Sequence, residues 1–133
     1  SFKRGNRPGT FDFLGFKHYW KRSRKGKAYI ARKTVSDRLT KSIKRIYEWC
    51  RKERHKKLKE QHKELIPKIR GHYNYYGING NYQCLARFLY MVERSWYKWL
   101  KRRSNRRNLY WDKFTKTLKH YKLPKPAIMH SNV

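Results

Sequence analysis

Acidic residues are scarce in this chain. Eight Asp and Glu stand against 37 Lys and Arg in 133 residues, which leaves a formal net charge of +29 at pH 7. The positive charges of a compact chain repel one another, so we expect this protein to bind a polyanion. The chain also lacks any run of about 18 apolar residues, and we therefore predict no transmembrane helix. We also expect no membrane partner.

Cysteine is nearly absent as well, with only Cys50 and Cys84 present. Two cysteines are too few for the disulfide framework of a small secreted domain, and this favours a reducing compartment. The first residues, SFKRG, carry no apolar signal-peptide core. We therefore expect a cytoplasmic protein. The start at Ser1 rather than Met suggests a piece of a longer chain.

The sequence also lacks the common motifs of catalytic and metal-binding residues. Asp12, Asp37 and Asp112 are far apart, so no adjacent pair could hold two Mg²⁺ ions for nucleotidyl transfer. There is no CxxC or HxxxH pair with zinc-ligand spacing and no glycine-rich phosphate loop. We therefore predict no enzyme activity for this chain alone, no metal site and no cofactor.

Aromatic side chains are abundant, at 17% of the residues. A disordered basic tail would not carry them, so we expect a folded core built largely from aromatic, Leu and Ile residues. Four of the rings recur with apolar neighbours at helical spacing, and we expect them in the core rather than stacked on bases. They are Tyr73, Tyr76, Trp96 and Trp99.

Hydrophobic periodicity predicts a mainly α fold, with an N-terminal β-hairpin followed by an antiparallel bundle of three to four helices. Alternating residues over 11–20 and 28–34, separated by a basic turn that contains Gly26, predict the hairpin. Apolar residues at helical spacing predict the helices. Their expected ranges are 36–54, 57–77 with a kink or restart at Pro67, 84 to an end at 101–104, and 111–121.

One glycine stands inside a predicted helix. Gly71 lies in the middle of the second helix, where glycine costs about 1 kcal/mol relative to alanine. This position is a candidate either for close helix packing or for the close approach of a ligand.

Several segments, in order, resemble one protein family. The segment FDFLGF (11–16) is similar to the end of the polymerase domain in bacterial group II intron reverse transcriptases, and RGHYNYYG (70–77) resembles a signature of that family. The segments WYKWLKRRS (96–104), WDKF (111–114) and LPKPAI (123–128) follow in the expected order. The chain therefore resembles the thumb and the maturase-specific region, often called domain X.

The resemblance implies a division of the chain. Residues 1–35 would be a tail and the primer-grip hairpin at the end of the palm, residues 36–104 the thumb and maturase helices, and residues 105–133 a basic loop, a short helix and a proline-containing tail at the start of domain X. The family's fingers and palm, with their YADD aspartates, are missing from this sequence. Polymerase activity, and the Mg²⁺ that serves it, would therefore require a palm supplied from elsewhere.

The expected partner is group II intron RNA, gripped to support RNA splicing and retrohoming, together with the primer–template duplex when a palm is present. Lys and Arg neutralise phosphates, and Tyr or His rings stack on unpaired bases. The residues predicted to contact RNA are Arg70, His72, Asn74, Tyr75, Arg102, Arg103, Arg106, Arg107 and Lys125. The primer-grip-like residues are Phe13, Leu14, Gly15 and Phe16.

Two other functions stay open at this point. The chain could be one part of a split or truncated RNA-directed DNA polymerase, active only with a separate polymerase part. It could also be a basic protein that binds nucleic acids without specificity.

Overall fold

The computed structural model describes residues 10–13, 16–22, 24–34, 36–103 and 109–130. Over these ranges the chain is mainly helical, as predicted, with four helices that follow a short antiparallel sheet. No helix within these ranges has the length and apolar character needed to cross a membrane.

The sheet has three strands, β1 (Thr10–Phe13), β2 (Phe16–Arg22) and β3 (Ala28–Thr34), in that spatial order. The prediction of one strand over 11–20 is wrong, because the chain reverses between Phe13 and Phe16, which face each other across the β1–β2 ladder. The alternation of rings continues through the reversal, so the period-2 pattern does not mark it. The sheet thus has one strand more than the two-stranded hairpin that was predicted.

The four helices are α1 (Ser36–Lys52), α2 (Leu58–Tyr76), α3 (Tyr82–Arg102) and α4 (Trp111–His120). Their bounds lie within a few residues of the predicted ones. Asp37 and Asp112 occupy first turns, and basic residues occupy the last turns of α1, α3 and α4, which suits the helix dipole at both ends.

Pro67 lies inside α2, and the helix continues through it. Of the kink or restart predicted at this position, the restart is wrong and the kink stays a prediction. Leu65 and Ile69, on either side of the proline, are both fully buried in the same core. Their burial holds both halves of the helix in place and offsets the backbone hydrogen bond that proline cannot make.

One hydrophobic core joins all four helices. It is formed by Leu39, Ile46, Cys50, Leu65, Ile69, Tyr73, Leu85, Phe88, Val92, Trp96, Leu100 and Phe114. Helix α3 supplies the most of these residues, and both α1 and α2 lie next to it. The core placement predicted for Tyr73 and Trp96 is confirmed, while Tyr76 and Trp99 are half-buried at its edge. Phe114 of α4 packs against Trp96, so the core extends beyond residue 104.

A buried polar network fixes the connection between α1 and α2. The Gln61 side chain is fully buried and donates hydrogen bonds to the carbonyl oxygens of Lys56 (2.8 Å) and Arg54 (3.3 Å). Its amide oxygen accepts a hydrogen bond from Trp96 Nε1 at 2.9 Å. The loop between α1 and α2 is thereby tied to the centre of α3.

The C-terminal segment, residues 122–130, runs along α2, and we call it the strap. His62 Nε2 lies 2.6 Å from the Lys122 carbonyl, and the Tyr73 hydroxyl donates to the Pro124 carbonyl at 2.8 Å. At the far end, the amides of Met129 and His130 donate to the Gly77 carbonyl at 2.7 and 2.9 Å. The strap therefore keeps its place through polar contacts along most of the length of α2.

Candidate nucleic-acid interface

The segment over residues 70–77 presents two faces. The strap face consists of Arg70, Tyr73, Asn74 and Gly77, each of which lines the hollow beneath the strap or contacts the strap itself. The groove face consists of Gly71, His72, Tyr75 and Tyr76, which line a cavity between α1 and α2. The division follows the helical period, since residues three and four apart share a face.

The strap face brings together three of the residues predicted to contact RNA. Arg70 and Asn74 of α2 and Lys125 of the strap are exposed, and they line one hollow of about 220 Å³. Pro124, whose carbonyl is held by Tyr73, lies in the same hollow. A guanidinium, an ammonium and an amide at one place can bind the oxygens of a phosphate.

Two residues of the strap face serve the fold. Tyr73 is buried, and this burial raises the pKa of its hydroxyl, so the group remains a hydrogen-bond donor to Pro124. At Gly77, a Cβ atom would overlap the Tyr73 carbonyl oxygen and would lie 2.8 Å from that of Ala127. A side chain is therefore excluded here by one carbonyl of the same helix and by one carbonyl of the strap.

The groove face lines a cavity of about 540 Å³. Ile46 and Phe88 contribute apolar surface to it, and both are buried. Besides Ser42 and Gly71, the other residues that line it are rings and cations, which come from α1 and α2. They are Trp49, His72, Tyr75 and Tyr76 among the rings, and Arg38, Arg45 and Lys68 among the cations.

His72 lies deeper than a direct RNA contact would suggest. It is 8% exposed and stacks on Phe88, with ring centroids 3.6 Å apart and planes 5° from parallel. Its Nε2 atom is buried and has no hydrogen-bond partner among the described residues. Burial lowers the pKa of His72 to about 4, so the ring is neutral at pH 7.

Gly71 is exposed on the same face. A Cβ atom at this position would meet nothing within 4 Å. The first of the two explanations, close helix packing, is therefore wrong for the described part of the chain. The approach of a ligand stays a prediction.

Tyr75 is 56% exposed, and its ring meets that of Tyr76 edge-on, with centroids 4.6 Å apart. The position agrees with its predicted availability to a partner. A half-exposed ring beside cations is the arrangement that allows bases to stack on proteins.

The C-terminal end of α3 forms a second basic surface around Trp99. Arg54, Lys98 and Arg102 each hold their charge 5.4–5.7 Å from the centroid of its ring. Arg102 is exposed, whereas the half-buried Arg103 donates to the Lys56 carbonyl at 3.1 Å. Arg103 thus contributes to the fold in addition to charge. Arg106 and Arg107 lie outside the described residues.

The primer-grip-like residues are described only in part. The backbones of Phe13 and Phe16 pair at the closed end of the β1–β2 ladder. Leu14 and Gly15 lie outside the described residues.

Sequence reasoning missed the basic residues of the groove. Arg38 and Arg45 are seven residues apart on α1, and this spacing alone places them on one face of a helix. Nothing in the sequence indicates that Lys68 of α2 faces them, since that depends on how the two helices pack on α3.

Acidic side chains neutralise few of these cations. The ion pairs found in the described ranges are Glu48–Arg51, Glu53–Lys56 and Glu64–Lys56, all at the surface. The candidate interface therefore keeps a strong positive potential.

The two cysteines are both free. Cys50 is buried in the core, as predicted, and burial raises the pKa of its thiol to about 12. Within the described ranges, no three His, Cys, Asp or Glu side chains are grouped as metal ligands.

No protein-family model, curated protein or solved structure matches this chain. The resemblance to intron reverse transcriptases is therefore carried by the quoted segments alone.

Proposed function

We propose that this chain is an RNA-binding maturase module that grips group II intron RNA and supports its splicing and retrohoming. In this proposal the sheet is the primer-grip end of a palm, and α1–α3 form the antiparallel bundle of a thumb. A separate palm would be needed for any copying of RNA into DNA.

One observation carries the proposal most directly. Arg70 and Asn74, from one segment that carries the resemblance, lie beside Lys125 from another. Two segments far apart in the chain thus form one basic hollow. Tyr73, which belongs to the same segment as Arg70 and Asn74, holds the strap in place through its hydrogen bond to Pro124. The two cations and the amide at this hollow are groups that can bind a phosphate of folded RNA.

The excess charge supports the same function. With +29 charges overall and the few ion pairs described above, the protein can offset phosphate repulsion in compact RNA. If it contacts six phosphates, log K against log salt should fall with a slope of about −4 to −5.

The decisive test is a salt series of binding that compares the neighbouring group II intron RNA with an unrelated RNA of the same length. We expect the intron RNA to bind about tenfold more tightly at physiological salt, a difference of about 1.4 kcal/mol. If the affinities for the two RNAs fall equally as salt is raised and both are lost at high salt, the protein binds RNA without specificity. Primer extension gained only on addition of a palm-bearing chain would instead favour a split polymerase.

A matched pair of variants tests the hollow. Arg70→Gln with Lys125→Gln should lower the preference for intron RNA. Lys116→Gln with Lys119→Gln, on exposed positions of α4, removes the same charge and should lower binding to both RNAs equally. Equal effects of the two pairs would contradict a specific role for the hollow.

A further inference from the structure

We propose that the groove between α1 and α2 binds one unpaired nucleotide of an RNA strand, with its base among the rings and its phosphate among the cations. The inference rests on the proposed RNA-binding function and adds to it the class of nucleotide recognised at one place. Double-stranded RNA would not fill this site, because its bases are paired and stacked in the helix.

The volume of the groove is suitable for a single nucleotide. The groove encloses about 540 Å³, within the range of about 300–1,000 Å³ that is usual for small-molecule pockets. Both α1 and α2 rest on α3, and buried Phe88 of α3 lines the bottom of the groove. Gly71 keeps one wall open, since no side chain projects from it and nothing lies within 4 Å of its Cβ position.

The chemistry of the walls fits a base and a phosphate separately. Trp49, Tyr75 and Tyr76 provide ring surface, on which a base of any sequence can stack. Arg38, Arg45 and Lys68 line the same groove, and they can neutralise a phosphate on either side of the stacked base.

His72 supplies an independent observation. Its ring is more than nine-tenths buried, it lines the groove, and its Nε2 atom has no hydrogen-bond partner among the described residues. A buried polar atom without a partner is costly, and a hydrogen bond from the edge of a base would remove that cost. Depending on the tautomer, this nitrogen can donate or accept.

The test compares two probes on four proteins. The first probe is a single-stranded RNA of about ten nucleotides that carries one 2-aminopurine, and the second is the same strand in a blunt duplex. The proteins are the wild type, Gly71→Leu, which fills the groove, Gly71→Ala, which adds only a methyl group, and His72→Phe. Thermal unfolding of each variant establishes that the fold is kept.

We expect Gly71→Leu to weaken binding of the single strand about tenfold and to abolish the change in 2-aminopurine emission, with less than a twofold effect on the duplex. His72→Phe keeps the ring on Phe88 but removes Nε2, so it should weaken the single strand a few fold while sparing the duplex. Gly71→Ala should have a small effect on both probes.

Unchanged binding of the single strand to Gly71→Leu would overturn the inference, as would equal losses for both probes. Competition by free AMP as effective as that of the strand would also overturn it, because the ligand would then be a free nucleotide. These failures differ from failure of the proposed function, which shows as a lost preference of the wild type for intron RNA over unrelated RNA. Either result can occur without the other.

Discussion

The two faces of helix α2 differ in how completely their polar groups and space are used. On the strap face, the Tyr73 hydroxyl and the Gly77 carbonyl both have partners on the strap, and a Cβ atom at Gly77 would collide with carbonyl oxygens of α2 and of the strap. On the groove face, His72 has a buried nitrogen without a partner in the described part of the chain, and a Cβ atom at Gly71 would meet no described atom within 4 Å. Polar groups that are paired between helix and strap stabilise the fold, whereas an unused hydrogen bond with open space beside it indicates a place for a ligand.

The largest effect should come from Gly77→Ala. The new Cβ atom would collide with backbone oxygens of Tyr73 and Ala127, which cannot turn away as a flexible side chain can. We expect a loss of about 2 kcal/mol in the free energy of unfolding, measured by urea denaturation. A loss of less than a few tenths would contradict the close approach of strap and helix.

The next effect is a dependence of stability on pH at His72. Burial lowers its pKa to about 4 from its ordinary 6.5, so between these values the unfolded chain binds a proton that the folded chain does not. Stability is therefore full above pH 6.5 and falls as the pH drops toward 4, by up to about 1.4 kcal/mol per unit. Arg38, Arg45 and Lys68, which line the same groove, oppose the protonated ring further.

Urea denaturation of the wild type and of His72→Phe between about pH 7 and pH 5 measures the contribution of His72 to the pH dependence of stability. The phenylalanine keeps the stack on Phe88 and should remove this part of the pH dependence. His55→Gln, at an exposed position, is the matched control and should leave the dependence unchanged. Identical profiles for the wild type and His72→Phe would show that His72 is not the titrating group.

A smaller effect is expected for Tyr73→Phe. This change removes one hydrogen bond of 2.8 Å and leaves the Pro124 carbonyl without that donor, at a cost of about 1 kcal/mol. Amide hydrogen exchange should become faster at Met129 and His130, whose amides bind Gly77. Unchanged exchange there would mean that the strap is held without Tyr73.

The smallest effect has the opposite sign. Gly71→Ala makes the same chemical change as Gly77→Ala on the same helix, yet it places a methyl group in open space. We expect a gain of about 0.5–1 kcal/mol in the free energy of unfolding, because alanine is the better helix former. Destabilisation would mean that the groove is closed in solution, and it would remove the space that the nucleotide site requires.

Local patterns were sufficient to predict most of the helices. Apolar spacing places Leu85, Phe88, Val92 and Trp96 on one stripe, and the structure buries all of them. The same reasoning offered a kink or a restart at Pro67 and failed for the restart, because burial of residues on both sides keeps the helix continuous. It also failed at the reversal before Phe16, because alternation is equally regular in one strand and in two.

The candidate site was predicted less completely. Arg70, Asn74 and Lys125 were identified as cations or amides in separate segments, but only the strap brings them together. His72 was expected to be accessible, yet it stacks on Phe88, a residue of another helix. Arg38, Arg45 and Lys68 were missed because no local pattern shows which cations of two helices face each other.

The sequence by itself determined the charge, the apolar stripes and the helix ends, because each depends only on composition or on neighbours within a few residues. The tertiary structure decided which cations meet, where space remains beside Gly71, and why Gly77 cannot carry a side chain. These properties depend on the packing of α1, α2 and the strap around α3, that is, on contacts between residues far apart in the chain. Such contacts are set by shape and burial, which no local pattern records.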